Sequence, residues 1–157
     1  MNQYYEKDKL EIGLDEAGRG CLLGPVFTAG VILNDIHLNP PPYEIKDSKK
    51  CSPKIRSILR KYIEDNAIAF CVEMINEKRI DKVNILNSTM EGMEKCIDNI
   101  TSSMVVDRLL VDGNHFPIYM DKHTFEAIPH VCIPGGDDKY INIAAASILA
   151  KEYHDEY

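Results

Sequence analysis

Leu10-Glu11-Ile12-Gly13-Leu14-Asp15-Glu16-Ala17-Gly18-Arg19-Gly20 carries the first periodic pattern in the chain. Ile12 and Leu14 alternate with Glu11 and Gly13, the period of a strand, and the glycines beyond Ala17 signal a turn. The spacing predicts a strand over 10–14 that delivers Asp15 at its end. Gly24-Pro25 then leads into the β-branched and apolar run 26–33, which predicts a second strand antiparallel to the first and closed by Asn34 and Asp35.

Downstream, Pro40-Pro41-Pro42 enforces an extended linker, because consecutive prolines donate no backbone hydrogen bond. Ser52-Pro53 supplies an N-cap and a first-turn proline, and Ile55, Ile58, Leu59, Tyr62 and Ile63 fall on one face of a helix reaching about Asn66. Residues 67–75 predict another strand. Ser88-x-x-Glu91 matches a capping box ahead of Met90, Met93, Ile97 and Ile100, whose helical spacing marks a core-facing stripe. Leu109-Leu110-Val111 predicts a buried strand ending in Asp112-Gly113-Asn114, 127–133 a further strand broken by Pro134-Gly135-Gly136, and 141–152 an alanine-rich helix suited to close packing on a sheet. Strands first, then helices alternating with strands, predict an α/β fold with a mixed sheet flanked by helices.

With 157 residues, 45% of them hydrophobic and 27% charged, the chain fits one domain, 1–157. No apolar run approaches the roughly 20 residues a membrane helix needs, and the polar start lacks the pattern of a secretory signal, so a cytoplasmic location and no membrane partner are expected. Five cysteines without a Cys-x-x-Cys pair suggest neither a disulfide framework nor a zinc knuckle, and the five histidines show no metal-binding spacing. They are expected as core or surface residues. A net charge of −7 argues against a polyanionic partner. Its distribution qualifies that: over 46–61 seven basic residues (Lys46, Lys49, Lys50, Lys54, Arg56, Arg60, Lys61) face one acid, Asp47, which reads either as a solvated helix face or as a phosphate-contacting patch.

Asp15, Glu16, Asp112 and Asp137 come from distant segments, each beside a glycine or a turn. Four carboxylates in one cleft would repel one another without cations. Hard oxygen ligands suit magnesium or manganese, and two such ions about 4 Å apart clamp the attacking and leaving oxygens of a phosphodiester displacement. No Ser-His-Asp or Cys-His arrangement offers a competing nucleophile. Gly18-x-Gly20-x-x-x-Gly24 loosely imitates a dinucleotide loop, but Pro25 and the run behind it favour a strand where that loop requires a helix.

Asp15-Glu16-Ala17-Gly18-Arg19-Gly20 followed by Gly24-Pro25-Val26 resembles the signature of ribonuclease HII, the type 2 ribonucleases H. The resemblance continues through Asp47-Ser48-Lys49-Lys50, Asn84-Ile85-Leu86 with Thr89-Met90, Val111-Asp112-Gly113-Asn114 and Ala145-Ala146-Ser147-Ile148-Leu149-Ala150-Lys151. It implies a ribonuclease H-like fold and a metal-dependent endonuclease. Such an enzyme, working as a monomer, would hydrolyse the RNA strand of RNA–DNA hybrids and cut at ribonucleotides embedded in duplex DNA. The implied mechanism uses two ions, Mg2+ or Mn2+, leaves 5′-phosphate and 3′-hydroxyl ends, and serves primer removal and ribonucleotide excision.

By position, the resemblance implies Asp15, Glu16, Asp112 and Asp137 as catalytic metal ligands, Asp137 being chosen over Asp138 by its spacing to Ala145-Ala146-Ser147. It implies Gly18, Arg19 and Gly20 at the ribose 2′-hydroxyl, Lys49 and Lys50 as phosphate or positioning contacts, and Ser147 and Lys151 in support. The sequence departs from the pattern at Cys21, Leu23 and His154, where the family usually has proline, alanine and arginine. The helical pattern also reaches Tyr157 without a stop signal, so the chain is expected to be truncated, with C-terminal helices and a substrate-stacking tyrosine missing. A non-catalytic or weakly active nucleic-acid-binding fragment of the same fold therefore stays open beside the enzyme.

Overall fold

The computed structural model describes residues 1–20 and 24–157; Cys21 and Leu23 lie outside them. Five strands form one mixed sheet: β1 (Glu11–Ala17), β2 (Val26–Leu33), β3 (Ala67–Ile75), β4 (Arg108–Asp112) and, at the far edge, β7 (His130–Ile133). Their order is β3-β2-β1-β4-β7, with β1–β2 and β2–β3 antiparallel and β1–β4 and β4–β7 parallel. Between β4 and β7 lies a small hairpin of β5 (Tyr119–Met120) and β6 (Ala127–Ile128).

Side chains alternate across a strand, so each strand divides its residues between two cores. Ile12, Leu14, Leu109 and Val111 face α3 (Ile85–Thr101), which contributes Met93, Cys96, Ile97 and Ile100. On the other face Ala29, Val31 and Leu33 meet α1 (Pro53–Asn66) and α4 (Ile141–Glu156). The first ten residues of α4 are all buried, as in a helix with no solvent face. Its N-terminus lacks a side-chain cap; the Asn2 carbonyl instead accepts from Ile141 N at 2.9 Å.

The α4–β1 contact is backbone on backbone. A Cβ at Gly13 would lie 2.2 Å from the main-chain carbon of Asn142, so only glycine admits the helix. Asn142, 2% exposed, fixes the register by donating from Nδ2 to the Glu11 carbonyl at 2.8 Å and accepting at Oδ1 from Leu33 N at 3.1 Å.

Several expectations require correction. β1 runs past Asp15 to Ala17, because pairing with β2 continues through Ala17↔Phe27 after pairing with β4 has stopped at Leu14↔Val111. Ser88 does not cap a helix: α3 begins three residues earlier, capped by Asn84, whose side chain accepts from Asn87 N, while the Ser88 hydroxyl donates to the Asn84 carbonyl. Glu91 instead binds Arg79 of α2 (Glu77–Val83), a short helix that the apolar periodicity did not reveal. The strand over 127–133 is divided at Pro129, which offers no amide to a ladder. The basic run is not an open strip either. Arg56 is 7% exposed and paired with Glu152 and Asp155, Arg60 pairs with Glu64 and Glu156, and Lys61 pairs with Asp65.

The Gly13 contact has a measurable consequence. Gly13→Ala would force main chain apart in the centre of the molecule, so unfolding in urea should show a loss of about 3 kcal/mol or more, at or beyond the upper range for overpacked cores. A loss below about 1 kcal/mol would mean that α4 can lift from β1.

Candidate metal centre

Register and alternation bring the first two acids together. Gly13 lies beside Leu110 and Leu14 beside Val111 in the parallel ladder, so Asp15 and Asp112 follow on neighbouring strands, on the α4 face, at the strands' carboxyl ends. The third arrives by a turn. Gly135 adopts φ +64°, and Oδ1 of Asp112 accepts from Gly136 N at 2.9 Å, holding the 3-10 turn Gly136–Asp138 so that Asp137 points back toward the strand ends. Carboxylate oxygens of Asp15, Asp112 and Asp137 lie within 4.8 Å of one another.

Glu16 stands apart from this trio. It shares its register position with Thr28, whose side chain faces α3, so Glu16 leaves the strand on the side opposite Asp15. It nevertheless lines the same cleft of about 260 Å³, and its carboxylate pairs with Arg19 at 3.7 Å. Gly18, Ser48, Lys49, Ser147 and Lys151 complete the lining with Ala17. Gly18 takes φ +91° at the rim, and Arg19 and Gly20 are exposed beyond it. Lys50 turns to the outer edge, where its Nζ binds Asp138 at 2.8 Å. Ser147 works from below: its hydroxyl meets Ser48 Oγ at 2.8 Å. Lys151 is paired with Asp155 at 2.9 Å.

Electrostatics agree with the geometry. Burial, then the charges of Glu16 and Asp112, push the Asp15 carboxyl well above the usual carboxylate range, against one hydrogen bond from Glu16 N. Asp137 is pushed up to about 6 by burial and by Asp112 and Asp47, with Lys49 opposing. Burial raises Glu16, although Arg19 counters part of it. Lys49 is held charged above its ordinary range, chiefly by Asp47 and further by Asp137, Asp15 and Asp112. Such a site carries more negative charge than its own cations balance. The donors are hard carboxylate oxygens, the set that magnesium or manganese prefers, and Asp15, Asp112 and Asp137 fit a divalent ion by composition and proximity.

Sequence reasoning missed three supports of this site. Asp47, 4% exposed, caps the Ser48–Lys50 turn through Lys49 N at 3.0 Å and forms a second close trio with Asp137 and Asp138. Arg56 donates to the carbonyls of Ser48 and Cys51 at 3.2 and 3.3 Å, fastening the same turn from inside. Asn142 sets the helix under Asp15. Asp47 stands in the Asp47-Ser48-Lys49-Lys50 segment and is legible as an acid among bases; nothing local marks Arg56 or Asn142 as buried.

Fold and site together define an α/β protein with a mixed sheet and an acid-lined cleft at the ends of its parallel strands. Comparison with known proteins carries this further. The ribonuclease HII family matches residues 12–157. A ribonuclease HII of Parabacteroides distasonis is 45% identical over 154 residues, covering 98% of this chain and 72% of the relative. The ribonuclease HII solved in a PCNA complex from Archaeoglobus fulgidus superposes with a TM-score of 0.70 at 28% identity, over 94% of this chain and 73% of that one. Ribonuclease H2 from Pyrococcus horikoshii gives 0.72 at 25% identity, over 93% and 72%. The chain belongs to the ribonuclease HII family, metal-dependent endoribonucleases of the type 2 ribonuclease H class.

The raised carboxyls bear on stability. Asp137 binds its proton more tightly folded than unfolded, moving from 3.8 to about 6, so its contribution is fully present below the unfolded value and is lost as pH rises through about 6. In chelator, the difference in melting temperature between wild type and Asp137→Asn should therefore widen in the variant's favour from pH 4 to 7, roughly the span of these two values. Adding Mg2+ at pH 7 should raise the wild-type melting temperature more than the variant's. A pH-independent difference would remove Asp137 from the uncompensated cluster.

Proposed function

We propose that this chain hydrolyses the RNA strand of RNA–DNA hybrids and cuts at ribonucleotides embedded in duplex DNA, leaving 5′-phosphate and 3′-hydroxyl ends. One observation carries the reading: three carboxylates from separate segments converge within 4.8 Å, under-neutralised, in a cleft that Gly18 also lines. Asp15, Asp112 and Asp137 would hold divalent metal, with Glu16 at the same cleft. Two such ions, Mg2+ or Mn2+, supply charge neutralisation, activation of water and stabilisation of the charge that develops on the phosphate oxygens.

The chain's own residues supply the positioning. Gly18 and Gly20 leave the backbone of the loop bare, so its polar groups can approach a 2′-hydroxyl, the group by which a protein tells RNA from DNA. Arg19 offers a fork of donors to a phosphate once it leaves Glu16. Lys49 brings a cation to the cleft wall, and Lys50 and Lys151 stand close by, each on an exchangeable ion pair. Ser147 acts through Ser48, holding the lysine-bearing turn against α4.

Cleavage of a duplex carrying a single ribonucleotide, with Mg2+ or Mn2+ and then with chelator, tests the reading. Asp15→Asn and Asp112→Asn should each lower the rate by roughly 10³-fold or more, equivalent to about 4 kcal/mol of transition-state stabilisation, with the fold intact. An unchanged rate in either variant would refute that residue as a metal ligand. Tight binding of the duplex by wild type without cleavage would favour a binding role over catalysis.

A further inference from the structure

The glycine loop rests on an aromatic wall. A Cβ on Gly18 would come within 2.7 Å of Cδ2 and 2.8 Å of Nε2 of His154, and within 2.7 Å of the Pro25 carbonyl oxygen, so the loop backbone lies directly on the imidazole. Phe27 of β2 meets the same ring edge-on, with centroids 5.9 Å apart and planes at 87°. These contacts set the ring between the sheet and the loop, one helical turn beyond Lys151 in the cleft lining.

Among the described residues, no close hydrogen bond holds the His154 side chain. Its Nδ1 is buried and makes no hydrogen bond among the described residues. The nearest acid, Asp155, stands 3.5 Å away and is taken up by Arg56 at 3.2 Å and Lys151 at 2.9 Å. The Arg56 pair ties the end of α4 to α1 and the Lys151 pair spans one turn within α4, which together fix the backbone that carries the imidazole. A ring that is 22% exposed and packed between Gly18 and Phe27 acts by its shape.

We propose that His154 is a positioning residue: its flat ring sets the height of Gly18 and thereby the alignment of the Gly18-Arg19-Gly20 loop with the ribose. The proposal rests on the reading that this loop meets the substrate sugar. Because the ring meets Gly18 on the side where a Cβ would project, through Cδ2 as much as Nε2, its bulk under the loop matters rather than a hydrogen bond. A phenyl ring can replace it, whereas a side chain without a flat face leaves the loop free to settle or tilt.

Three variants test this, each read by cleavage of a single-ribonucleotide duplex and, without substrate, by amide hydrogen exchange at residues 18–20. His154→Ala and His154→Leu, the second keeping apolar volume so that folding is retained, should lower kcat by about 10- to 100-fold, as expected of a misplaced substrate contact, while KM stays within about threefold. Exchange in the loop should accelerate in both. His154→Phe should restore most of kcat and the slow exchange. Divalent-ion affinity by calorimetry should be the same in all four proteins, since the carboxylates are untouched. Unchanged loop exchange in the leucine variant, or a phenylalanine variant as impaired as leucine, would overturn the proposal. Wild type that exchanges as expected but never cleaves would instead overturn the catalytic reading, leaving the ring's structural task standing.

Discussion

The close approach of α4 to β1 at Gly13 governs the rest of the molecule. A helix packed on a sheet ordinarily keeps side chains between the two backbones; here the main chain of Asn142 occupies the space where a Cβ would be. That contact buries the first ten residues of α4 on every side, which its alanines allow, and brings the helix under the carboxyl ends of β1 and β4. Ser147 and Lys151 reach the cleft, and His154 the Gly18 loop, because the helix is this low. The buried amide of Asn142, bonded to main chain of both β1 and β2, prevents the helix from sliding along the strands.

On this base the protein assembles charge that opposes its own folding. Asp15 is almost wholly buried next to Asp112 and Asp137, and the nearest cations serve other acids first: Arg19 lies against Glu16, and Lys49 against Asp47. Strain of this kind belongs to sites that bind cations, where the ligand supplies the missing charge. Asp112 illustrates the economy of the arrangement, since the same carboxylate that joins the cluster also holds the Gly136 amide and so delivers Asp137.

The strands β1 and β2, the helix α1 and its Ser52-Pro53 start were legible because local patterns carry them: alternation, β-branching, and a cap followed by proline. The beginning of α3 is ambiguous in the sequence because Ser88 and Asn84 are both competent caps, and only the packing of α2 against α3 selects between them. The basic stretch was misleading for a related reason. Charge in a sequence window is summed without regard to direction, whereas Arg56 points inward to Glu152 and Asp155, nearly a hundred residues away.

By itself the sequence determined most of the strand-and-helix grammar, the family and the candidate acids, since each is written in residues close together or in motifs that stand in register. Tertiary structure alone decided their relations. That Asp15 and Asp112 are neighbours follows from a parallel ladder between segments far apart in the chain, and that Glu16 departs on the opposite side from Asp15 follows from strand alternation once β1 continues to Ala17. That His154 lies beneath Gly18 follows from the depth of a helix set by Gly13. Distances between remote side chains depend on packing, and packing is a property of the whole fold that no window of sequence contains.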